Sequence, residues 1–96
     1  MQIHFTGRNL EITPALKATT EEKMLRIDRR AHNITSLNIT FHVENITHIA
    51  EATLHADNAE FHAIAKADDM YKAIDLLVDK LLSQITKHKE KMTTHR

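Results

Sequence analysis

Residues 37–67 read LNITFHVENITHIAEATLHADNAEFHAIAKA. Leu37, Ile39, Phe41 and Val43 alternate with Asn38, Thr40, His42 and Glu44, the period-two pattern of a strand with one buried face. Ala50, Ala52, Leu54 and Ala56 continue the alternation after a short connection, and Phe61, Ala63, Ala65 and Ala67 resume it after a turn at Asp57-Asn58. Three antiparallel strands in a meander are expected. The alanine-rich inner faces of the last two would let a helix pack closely.

Upstream, Ile3 and Phe5 mark a short first strand that stops near Gly7. Thr13-Pro14 is a helix start, with threonine to cap the free amides and proline at the first helical position. Leu16, Thr20, Met24, Ile27, Ala31 and Ile34 recur at helical spacing and predict one continuous first helix with a thin apolar face. Downstream, Asp68 and Asp69 offer a cap. Met70, Ile74, Leu77, Leu81, Ile85, His88 and Met92 then mark a long amphipathic last helix. The order is β-α-β-β-β-α, an α+β fold. A right-handed crossover makes the first strand parallel to the second and puts both helices on one face of a four-stranded sheet.

The chain has 96 residues, which fits a single domain spanning 1–96. It contains no cysteine, so disulfide frameworks, thiolate nucleophiles and cysteine zinc sites are excluded, and a reducing cytoplasm is the expected setting. The N-terminal residues lack a basic segment followed by an apolar one, and no apolar run exceeds three residues, so neither secretion nor membrane spanning is expected. The Asn-Ile-Thr triplets at Asn33, Asn38 and Asn45 are therefore read as strand and turn composition.

A formal net charge of zero conceals a polarity. From Lys80 onward the net charge is +4, leaving −4 on residues 1–79, with acids concentrated between Glu44 and Asp69. Lys80, Gln84, Lys87 and Lys91 form a stripe beside the apolar face of the last helix, and Lys23, Arg26 and Arg30 do the same on the first. Such cations can extend over the neighbouring surface to meet phosphates. Alternation places His4, His42, His55 and His62 on the open face of the sheet. His55 faces Glu60 or His62, depending on the turn centre. These histidines support an alternative reading as a metal-binding domain. A second alternative is a protein-interaction module using an apolar flank of the last helix at Leu76, Val78 and Leu82. With a lone Gly7 there is no glycine-rich phosphate loop, and no serine sits in a nucleophile elbow, so no enzyme and no cofactor are expected. Tyr71, the only tyrosine, falls in the first turn of the last helix.

The run Asp69-Met70-Tyr71, Ala73-Ile74-Asp75, Leu77, Asp79-Lys80-Leu81, Gln84 and Lys87-His88-Lys89 resembles the signature helix of the ribosome hibernation-promoting factors, relatives of the ribosome-associated inhibitor. Glu51-Ala52-Thr53-Leu54-His55 resembles that family's third strand, and Glu11-Ile12-Thr13 its entry to the first helix. The chain departs from the family pattern at Thr19, Thr20, Arg30 and Ala31, where relatives usually carry apolar or aromatic residues, and at His42, where a base is common. The resemblance covers essentially the whole chain and is closest to the short form, without a dimerising extension. It implies a fold related to double-stranded-RNA-binding domains and binding to small-subunit rRNA in the channel for tRNA and mRNA. It further implies inhibition of translation under growth arrest and inactive ribosome dimers formed with a separate modulation factor, the protein itself being a monomer. The rRNA contacts it implies by position are Lys23, Arg26, Lys80, Lys87, Lys89 and Lys91, and the basic stripe of the first helix adds Arg30 as a further expected contact.

Overall fold

The alternating stretch forms the meander that its periodicity requires. In the computed structural model the backbone is described for residues 1–94 and the side chains for residues 1–90. The elements are β1 (Ile3–Gly7), α1 (Pro14–Lys23), α2 (Leu25–Arg30), β2 (Ser36–Glu44), β3 (Thr47–Ala56), β4 (Ala59–Ala67) and α3 (Met70–Thr94). The strands stand in the order β1-β2-β3-β4. β1 runs parallel to β2, and the other pairs are antiparallel, so the expected crossover and α+β class are both present.

The register builds the core row by row. Leu37 lies opposite Leu54, which lies opposite Phe61; Ile39, Ala52 and Ala63 form the next row, and Phe41, Ala50 and Ala65 the third. Onto these small inner faces α3 lays Met70, Ala73, Ile74, Leu77, Val78, Leu81 and Ile85, all buried in one cluster with Leu16, Met24 and Ile27 from α1 and its continuation. Each large aliphatic buried this way contributes about 1.5–3 kcal/mol. Phe5 stacks on Phe41 with centroids 6.3 Å apart and fastens β1 to the sheet.

The Thr13 side chain accepts from the Leu16 amide at 3.1 Å, with Pro14 opening α1. The expected single helix is divided, however. Met24, at φ −73° and ψ −8°, separates α1 from α2, and α2 ends at Arg30 because Ala31 is extended and Asn33 is left-handed at φ 56°. Ile34 therefore lies in the following loop rather than on a helix, though it still packs against the core. Buried Thr20 donates its hydroxyl to the Leu16 carbonyl at 2.7 Å, a back-bond that satisfies the hydroxyl and bends helices. The loop is fastened to the β3–β4 turn: the His32 amide donates to the Asp57 carboxylate at 3.2 Å, and the Asp57 amide donates to the His32 carbonyl at 2.9 Å.

Candidate nucleic-acid interface

Two seams flank α3, and the basic residues divide between them. On the α1–α2 side, Lys23 pairs with Asp75 at 2.6 Å and Arg26 with Asp79 at 3.4 Å. Further along, the Arg30 guanidinium donates to Thr86 Oγ1 at 3.0 Å, and the Lys89 ammonium donates to the Arg30 carbonyl, capping the end of α2. The acids Asp75 and Asp79, which spacing alone marks as an exposed i,i+4 pair, therefore partly neutralise the basic stripe of the first helix. Past Asp79 the seam becomes cationic. Arg26, Arg29 and Arg30 surround a shallow cleft of about 200 Å³ beside Leu82.

On the other side α3 lies along β4, the edge of the sheet. Gln84 donates from Nε2 to the His62 carbonyl at 2.6 Å and accepts the His62 amide at 3.2 Å, while Lys80 Nζ donates to the Ile64 carbonyl at 2.6 Å. These contacts complete backbone groups that an edge strand otherwise leaves open. Lys80 is exposed, yet its ammonium is held at the sheet edge rather than projecting freely. Lys87 follows as an exposed cation beside His88, whose ring meets Phe61 edge to face at 5.5 Å. Lys91 lies outside the residues whose side chains are described.

Around the second half of α3 the cations divide between the two flanks, Arg29, Arg30 and Lys89 on the α2 side and Lys87 on the β4 side. Lys23, Arg26 and Lys80 are drawn into local pairings. Arg29 is the cation that sequence spacing underweights: its i,i+3 relation to Arg26 is visible in the chain, but the shared cleft becomes evident only once α3 supplies the opposite wall. Tyr71 stands exposed next to Asp68 and Asp69, a poor position for meeting a polyanion.

The open face of the sheet carries the opposite charge. His42 lies 3.2 Å from Glu44, His55 2.9 Å from Glu60 and His62 2.7 Å from Glu51, and Ser36 Oγ is 2.9 Å from His55 Nδ1. The register settles the facing residue of His55 as Glu60. The Arg8 guanidinium approaches the His42 ring at 3.0 Å. Among the described residues no three His, Asp or Glu side chains converge in metal-binding geometry. The apolar flank proposed on α3 is largely core: Val78 is buried and Leu82 half-buried, leaving Leu76 exposed. No described helix is long and apolar enough to cross a membrane.

Comparison with known proteins gives this architecture a lineage. Residues 3–93 match the family described as Sigma 54 modulation protein / S30EA ribosomal protein. The chain is 43% identical over 95 residues to a ribosome hibernation promoting factor of Salmonella typhimurium, covering 99% of this chain and 100% of that one. It is 47% identical over 91 residues to the ribosome hibernation promoting factor of Azotobacter vinelandii, covering 95% of this chain and 85% of that relative. A ribosomal subunit interface protein from Coxiella burnetii superposes with a TM-score of 0.86 at 37% identity, covering 95% of this chain and all of that one. The Thermus thermophilus Protein Y N-terminal domain superposes at 0.83 and 29% identity, covering 92% of this chain and 99% of that domain. By sequence across nearly its whole length, and by the fold those residues build, this chain belongs to the Sigma 54 modulation protein / S30EA ribosomal protein family.

Proposed function

We propose that this protein is a ribosome hibernation factor that binds small-subunit rRNA in the tRNA/mRNA channel. It blocks translation by steric occupation, as a monomer in the cytoplasm and without enzymatic chemistry. With a separate modulation factor it favours inactive ribosome dimers when growth stops. The observation that carries the reading is the cationic surface around α2 and the second half of α3, with Arg29, Arg30 and Lys89 on one flank and Lys87 on the other, set against the Glu44, Glu51 and Glu60 carboxylates of the open sheet. Such a dipolar surface docks on phosphate by one side only. That its relatives are named hibernation promoting factors and subunit interface proteins supports the ribosome as the source of that polyanion. The contrast along the α1–α2 seam supports a contact at the second half of α3, because Asp75 and Asp79 compensate the first half.

Co-sedimentation with purified small subunits across a salt series tests this. With about five phosphates neutralised, log affinity should fall against log salt with a slope of roughly −3.5 to −4.5. Initiator tRNA with mRNA should displace the protein. A flat salt response, or binding that the competitor leaves unchanged, would overturn the assignment.

A further inference from the structure

Beside the phosphate-facing cations lies a cleft whose chemistry is not electrostatic. Phe61, Gln84, Lys87 and His88 line an open depression of about 330 Å³ between β4 and the later turns of α3. Phe61 is 5% exposed and forms a wall, and the half-buried His88 ring stands across it at 87° with centroids 5.5 Å apart, so the imidazole is held in a defined orientation. Gln84 is fixed in the depression by the His62 backbone, its Nε2 donating to the carbonyl and its Oε1 accepting the amide. Lys87 stands exposed at the rim, and Lys89 follows His88 along the helix. A flat ring held in place, an apolar wall and an adjacent cation match one ligand class closely: an aromatic base joined to a phosphate.

We propose that this cleft receives a single unpaired nucleobase of the bound RNA, stacked on His88, with its phosphate on Lys87. Bases splayed from loops and bulges stack on aromatic side chains, histidine included, and every base has a face that can do so. The site deepens the ribosomal reading and rests on it. It also divides labour across α3, with Arg29 and Arg30 meeting backbone on one flank and His88 reading an unstacked base on the other. Neither helix then needs to enter a groove.

The test uses the whole protein and small subunits, titrated across a salt series with His88→Ala, His88→Phe and Lys87→Gln. Stacking releases no counterions, so His88→Ala should weaken binding by about 5- to 150-fold at every salt concentration with the slope unchanged. His88→Phe should restore binding, and Lys87→Gln should flatten the slope by about 0.7–0.9. A photo-crosslinking p-azidophenylalanine at position 88 should attach to an unpaired rRNA nucleotide. His88→Ala binding within twofold of the parent protein, a loss that His88→Phe fails to restore, or a crosslink to a ribosomal protein or a paired nucleotide would each overturn the inference while leaving the salt-dependent docking in place. Absence of binding by the parent protein would remove the ribosomal reading and this site together.

Discussion

The only glycine in the chain does not occupy a left-handed position. Those positions belong to Asn9, Asn33, Asn45, Asp57 and Asn58, with φ between 54° and 59°. Short polar side chains tolerate this region where others are strained. Two of the three Asn-Ile-Thr triplets thereby acquire a physical meaning as turns, while Asn38 sits in the strand, paired with His4 and Thr53. Gly7 is required for space instead: a Cβ there would stand 2.2 Å from the Leu10 carbonyl oxygen and 3.1 Å from the Ile12 side chain. Because the nearer atom is backbone, no rotamer change relieves the clash. Gly7→Ala is expected to lower stability by about 1–3 kcal/mol, visible as a drop in Tm of several degrees. An unchanged melting curve would show that the loop after β1 shifts without penalty.

At the scale of elements, what was legible in the sequence was whatever depends on local period. The alternation in 37–67 carries the meander and its inward face, and the caps at Thr13 and Asp69 carry the helix starts. The break at Met24 was not legible, since Met24 and Ile27 continue the apolar pattern across it and both remain buried. The two acids before α3 looked equivalent in the chain, but they do different work. Asp69 accepts from the Tyr71 and Lys72 amides at 2.8 and 3.1 Å, whereas Asp68 forms an exposed i,i+4 pair with Lys72 at 3.1 Å. Asp69→Ala should lower stability at neutral pH by about 1 kcal/mol. The hydrogen bond and charge of Lys72 hold the Asp68 carboxyl below its usual value of 3.8. Its contribution is therefore present above that value and lost as pH falls through the lower folded one. Asp68→Asn should leave Tm at pH 7 nearly unchanged, and a loss equal to that of Asp69→Ala would contradict the division. Helical spacing likewise shows the angle at which Lys80 leaves α3 but not that a strand edge waits there. Lys80→Met should lower stability by about 0.5–1.5 kcal/mol through the Ile64 carbonyl, while Lys87→Met should not change Tm. Equal melting of the two variants would return Lys80 to the solvated stripe.

Across the whole molecule, zero net charge resolves into a cationic helical side and a sheet face lined with carboxylates, and the seam between α1, α2 and α3 sets how much of the cationic side is available. Spacing placed Lys23 and Arg26 among the phosphate contacts, because period says where a cation points along its own helix and nothing about the acid facing it from the next. The folded arrangement gives each a carboxylate partner, Asp75 and Asp79, in bridges that remain substantially exposed. Exposed bridges contribute between zero and about 1 kcal/mol, less than the attraction of a polyphosphate surface for a liberated cation. The double variant Asp75→Asn with Asp79→Asn should therefore keep its fold, measured by Tm, while binding small subunits more tightly. If Lys23 and Arg26 then engage two further phosphates, the salt slope should steepen by roughly 1.4–1.8. A tighter complex with an unaltered slope would mean that only the long-range field changed and that both cations serve the helix seam. An unaltered affinity would confine the interface to the second half of α3, with Arg29, Arg30 and Lys89 on one flank and Lys87 on the other.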